Sequence, residues 1–119
     1  MHVQVHAEDA IQGGDALLRW AQEATQDRLA RLKEYLPRVD VYFSAVDQLK
    51  TGGPGKRCVI ETHASGRPPL VVSVEAEKVD EAFSAALDRL IRAVDTDLGK
   101  LKDRHGRDTI RSAEAADQA

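Results

Sequence analysis

The stretches 39-VDVYFSA-45, 58-CVIETHA-64 and 70-LVVSVEA-76 decide the fold, because each alternates its side chains with a period of two. Val39, Val41, Phe43 and Ala45 fall on one side of the first, and Cys58, Ile60, Thr62 and Ala64 on one side of the second. In the third, Leu70, Val72, Val74 and Ala76 share a side. The opposite positions include Asp40, Tyr42, Ser44, Glu61, His63, Ser73 and Glu75, so one face is apolar and the other mainly polar. The connections, 50-KTGGPGK-56 and 65-SGRP-68, are rich in turn residues and too short for a crossover. Three strands joined this way form an antiparallel meander.

Upstream, Val3 and Val5 alternate with His2, Gln4 and His6, a further short strand. Gly13-Gly14 then breaks the chain, and Asp15 is in place to cap a helix. Leu18, Ala21, Thr25, Leu29, Leu32 and Leu36 recur at helical spacing, which predicts a helix of about six turns, with Pro37 barring its continuation. Downstream, Asp80 is expected to cap a second helix with Glu81 in its first turn. Its stripe is Phe83, Leu87, Leu90, Val94, Leu98 and Leu101, the cleanest periodicity in the chain. The helix is expected to run to about residue 105, with Gly106 as its stop and 106–119 as a disordered tail. The order β-α-β-β-β-α therefore predicts an α+β two-layer sandwich, a four-stranded sheet with two helices packed on one face, over residues 1–105.

Composition narrows the function. At 119 residues the chain holds one ordinary domain. Cys58 is the lone cysteine, which excludes an internal disulfide and a four-Cys zinc site. No apolar run approaches the ~20 residues of a membrane span, and 1-MHVQVHAEDA-10 has no charged n-region or apolar h-segment, so a cytoplasmic protein with no membrane partner is expected. The formal charge of −3 is unevenly spread: Lys100, Lys102, Arg104, Arg107 and Arg111 outnumber Asp103 and Asp108 near the C-terminus, leaving an acidic body with a basic end.

Catalytic chemistry has little support. Cys58 takes a core-facing register and reads as a small hydrophobe. The 52-GGPGK-56 loop lacks the phosphate-loop spacing and precedes a strand, so it reads as a hairpin loop. His2, His6 and His63 share the polar face, but His2 and His6 lie too far apart along one strand to share an ion. No carboxylate pair is forced into an apolar site. Neither an enzyme, a metal, a cofactor nor a small-molecule substrate is expected.

The second helix offers another chemistry. Opposite its apolar stripe lie Arg89, Arg92, Thr96 and Lys100, with Arg107 beyond, a ridge of long cations able to address successive phosphates of a folded RNA. A solvated face with ion pairs such as Asp88–Arg92 is the plainer alternative. Five aromatic residues among 119 do not suggest stacking on single-stranded bases.

Several runs carry a resemblance: 31-RLKEYL-36 followed by 38-RVDV-41, the strand 56-KRCVIE-61, and 80-DEAFSAALDRL-90. With the element order, over about residues 1–105, they resemble the ribosome hibernation-promoting factor family, also called ribosome-associated inhibitor A or sigma-factor modulation proteins. The resemblance implies a non-enzymatic partner of the small ribosomal subunit, or of the whole 70S ribosome, that occupies the mRNA and tRNA channel under stress or in stationary phase. It implies rRNA contacts from Arg89, Arg92, Lys100, Lys102 and Arg104, with Lys33, Lys56 and Arg57 weaker. The C-terminal module that pairs ribosomes in long family members has no counterpart by Ala119, so pairing through it is not expected. Asp95-Thr96-Asp97 stands where the family is usually basic, which implies reduced phosphate contact. That substitution keeps an alternative open, a protein-binding regulatory module on the same fold with weak or lost rRNA binding.

Overall fold

The structure, a computed structural model, describes the backbone of every residue but Ser65 and Ala119, and the side chains of residues 1–64 and 66–100. The strands are β1 (His2–Ala7), β2 (Arg38–Val46), β3 (Gly55–His63) and β4 (Leu70–Ala76), and the helices are α1 (Gly14–Arg28) and α2 (Val79–Gln118). They form one four-stranded sheet in the order β1-β2-β3-β4. The α1 crossover makes β1 parallel to β2, while the short loops make β2, β3 and β4 antiparallel. This is the α+β sandwich that the alternating strands and helical stripes predict.

Register brings the apolar positions together. Val3 lies beside Val39, Val41 beside Ile60, Phe43 beside Cys58, and Ile60 beside Val72. Leu29, Leu32 and Leu36 from the first helical region and Phe83, Leu87, Leu90 and Val94 from α2 cover that face, and all are buried. Phe43 and Phe83 meet edge-on with ring centroids 5.7 Å apart, which ties α2 to the middle of the sheet. Thr25 is the polar member of the α1 stripe; its hydroxyl is satisfied by donating to the Ala21 carbonyl at 2.7 Å.

Three local expectations are corrected. The first helix does not run unbroken to Leu36: α1 ends at Arg28 and a 3-10 turn follows at Ala30–Leu32. The tighter turn still aims Leu29, Leu32 and Leu36 at the core while redirecting the chain through Pro37 into β2. Nor do the aspartates cap. Gly13 occupies the position before α1 at φ 122°, where a Cβ would stand 2.8 Å from that of Leu17, so only glycine fits. Asp15 and Asp80 lie instead within the first turns of their helices, where the dipole favours a carboxylate. Nor does Gly106 stop the second helix: α2 continues through it to Gln118, while the side chains of the expected tail, 106–119, lie outside the described residues.

Cys58 is fully buried, and desolvation pushes its thiol up to about 12. The thiolate is the reactive species, so the native protein is expected to resist Ellman's reagent at pH 8 and to react only as it unfolds. Stopped-flow labelling checks this; prompt reaction of the native protein would contradict the buried position.

Candidate nucleic-acid interface

The outer side of α2 is built by the same periodicity that buries Phe83, Leu87, Leu90 and Val94. Once those residues face the sheet, Asp88, Arg89, Arg92, Asp95 and Lys100 are exposed. Among the described residues, Arg92 and Lys100 form no ion pair. Arg89 reaches sideways, its Nη1 donating to the Ser73 carbonyl of β4 at 2.9 Å. An arginine so held still carries its charge and further N–H donors.

Among the described residues, the aspartates on α2 form no ion pair within their own helix. Arg28 Nη2, at the end of α1, bonds Asp88 Oδ1 at 2.6 Å, so Asp88 is taken by the first helix and not by Arg92 as in the plainer alternative. Arg31 Nη2 bonds both carboxylate oxygens of Asp95 at 2.9 Å. Asp97 accepts from the Tyr35 hydroxyl and from Arg67 Nη2. The Tyr35 bond and the Arg67 guanidinium hold the Asp97 carboxyl below its usual value; burial, then the same aspartate, raises the Tyr35 hydroxyl. Thus the three acids of this segment are matched by Arg28, Arg31 and Arg67 from elsewhere in the chain. Asp88, Arg92 and Asp95 follow one another at i, i+4 and i+7, so the seam between the first helical region and α2 alternates cation and anion.

Such pairs are weak where they are wet. The side chains of Arg28, Arg31, Asp88 and Asp95 are 41–59% exposed, and ion pairs of that kind contribute about 0–1 kcal/mol. An incoming polyanion therefore competes for these arginines at small cost.

The remaining sequence candidates are dispersed. Lys33 is exposed on the segment between the 3-10 turn and β2. Lys56 and Arg57 start β3, where Arg57 faces its register partner Glu75 and is bound to it through Nη2 at 2.6 Å and Nε at 3.1 Å. The side chains of Lys102 and Arg104 lie outside the described residues. The structure thus keeps Arg89, Arg92 and Lys100 on one helix and separates Arg57 from them by the thickness of the sheet. Arg28 and Arg31 join the α2 row without having been singled out from sequence. The available signal was their i, i+3 spacing at the helix end.

On the uncovered face of the sheet, Asp40 is buried, with Arg38 Nε 3.0 Å from Oδ2 and the Nε2 atoms of His6 and His63 each 3.9 Å away. His63 Nε2 also stands 3.4 Å from Glu61 Oε1. Among the described residues, no set of three or more His, Cys, Asp or Glu side chains is grouped to hold a metal ion. No helix of the described residues is long and apolar enough to cross a membrane.

In comparison with protein families, a model described as "Sigma 54 modulation protein / S30EA ribosomal protein" matches residues 3–106. No curated protein matches the chain.

Proposed function

This chain belongs to the Sigma 54 modulation protein / S30EA ribosomal protein family, a family of ribosome-associated modulation factors, and from that premise we propose that it is a non-enzymatic inhibitor of translation. It binds the small ribosomal subunit in the mRNA and tRNA channel during stress or stationary phase, in the cytoplasm. Its mechanism is occupancy: the sandwich supplies a rigid body, and phosphate contacts hold it in place.

The observation that carries this reading is the row of exposed cations on α2, Arg89, Arg92 and Lys100, two of them without an ion pair among the described residues. Lys102 and Arg104 extend the proposed rRNA contacts, with Lys33, Lys56 and Arg57 contributing less. A protein-binding module built on Asp88, Asp95 and Asp97 is less favoured, because each of these acids is held by an arginine of the same chain.

Co-sedimentation with purified ribosomes at low and moderate salt tests the proposal. Salt-sensitive movement into the small-subunit and 70S fractions is expected; a chain that stays at the top of the gradient at both salts overturns it. Asp95→Asn gives a finer check. Losing the carboxylate releases Arg31 for phosphate, so binding to 16S rRNA fragments is expected to tighten about threefold, with a salt slope steeper by up to about 0.9. Filter binding across a salt series measures both.

A further inference from the structure

The end of the sheet where β1 and β2 finish carries a feature that the ribosomal reading does not use. His6 of β1 and Tyr42 of β2 stack on the uncovered face, ring centroids 4.9 Å apart and planes 15° from parallel. Beside them is an open cavity of about 260 Å³ lined by His6, Ala7, Glu8, Tyr42, Phe43 and Ser44. Tyr42 is 38% exposed although it is among the largest apolar side chains on the surface. Glu8 Oε2 accepts from the Ala45 amide at 3.3 Å, which fixes the carboxylate at the rim; an ionised carboxylate keeps lone pairs on Oε1 for another donor.

The lining thus combines the stacked His6 and Tyr42 rings and a carboxylate with no lysine or arginine. Asp9 follows β1 out of the sheet and Asp47 follows β2, so the same end gains two more acids. Arg57, the register partner of Ser44, is already bound to Glu75, so the acids carry the charge at this end, which repels phosphate and attracts a cation. Of the two basic side chains, arginine fits better: its planar guanidinium stacks on an aromatic face while its N–H fork meets a carboxylate, whereas an ammonium is a compact hydrated charge with no plane to stack.

We propose that this cavity is a docking site for an arginine side chain of a partner protein, the guanidinium stacking on the His6–Tyr42 pair and bonding Glu8. It goes beyond the ribosomal reading and does not rest on it, since the α2 cations lie across the sheet from these residues.

The test is an amide-resolved NMR titration of the full chain with the peptide acetyl-Gly-Arg-Gly-Arg-Gly-amide, its lysine counterpart and the oligonucleotide U6. Saturable shifts centred on the His6, Ala7, Ser44 and Ala45 amides are expected with the arginine peptide. They are expected to weaken about tenfold in Glu8→Gln and in Tyr42→Leu. Glu8→Gln keeps an oxygen acceptor for the Ala45 amide, so its fold is preserved. Absent shifts, or shifts unchanged in both variants, overturn the proposal. Equal binding of the lysine peptide overturns the guanidinium assignment, and the same shifts with U6 make the cavity a base-binding site instead. None of these outcomes depends on co-sedimentation, so failure here and failure of the ribosomal proposal are distinguishable.

Discussion

The double variant Arg92→Glu/Lys100→Glu is expected to fold normally and to lose ribosome co-sedimentation at moderate salt. Both side chains are exposed and neither has an ion-pair partner among the described residues, so even with the new like-charge neighbours Asp88, Asp95 and Asp97 their replacement costs only about 1 kcal/mol of unfolding free energy. Binding responds far more strongly. Each neutralised phosphate contributes about 0.9 to the slope of log affinity against log salt on duplex nucleic acid, so losing two contacts flattens the slope by about 2. At about 0.1 M salt the same loss corresponds to nearly a hundredfold in affinity, and reversal adds repulsion. Gradient co-sedimentation gives the affinity and circular dichroism the fold. Undiminished movement with ribosomes by the folded variant would remove α2 from the proposed interface.

Phe83→Ala is expected to have the largest effect on stability. Phe83 is 2% exposed and stands between two other aromatic rings, Phe43 at 5.7 Å and Trp20 at 5.1 Å, both edge-on. Truncating a buried phenylalanine costs about 3–5 kcal/mol, counting lost transfer energy and the cavity left behind. Against a typical domain stability of about 5–15 kcal/mol that is a large share, and the melting temperature falls by about 12 °C or more. Trp20 is the only tryptophan and packs on the ring removed, so its fluorescence reports the loss directly. A cost below about 1 kcal/mol would mean that α2 is not held to the sheet through this ring.

What was legible in the sequence, and what was not, follows from the range of the interactions. The strands could be read because side-chain alternation is local: Val39, Val41 and Phe43 declare their face whatever lies across from them. So did the buried stripe of α2. The break at Leu29 was hidden, because Leu29, Leu32 and Leu36 keep the same inward aim whether the backbone continues as α-helix or tightens into a 3-10 turn. The cations of α2 were visible as a helical row. Their context was not: the partners Arg28–Asp88 and Arg31–Asp95 are 60 and 64 residues apart, and only the packed structure aligns them. Asp95 and Asp97, read along the chain, counted as charges opposing phosphate; folded, each belongs to a pair. Asp40 was read as one of the positions opposite the apolar side chains of its strand, a mainly polar face, yet it is 1% exposed, because Arg38, His6 and His63 close over it from β2 and its two neighbours.

The bond from Arg89 to the Ser73 carbonyl has a consequence for how this molecule stays separate from its copies. β4 borders the sheet, and a bordering strand presents unpaired backbone groups on which another strand can grow. Arg89 lays a charged, hydrated side chain from the covering helix onto the backbone of this bordering strand. The cation proposed to meet rRNA therefore also discourages edge-to-edge growth of the sheet. Its removal alters colloidal behaviour and polyanion affinity together, which makes Arg92 and Lys100 the cleaner positions from which to measure RNA contact alone.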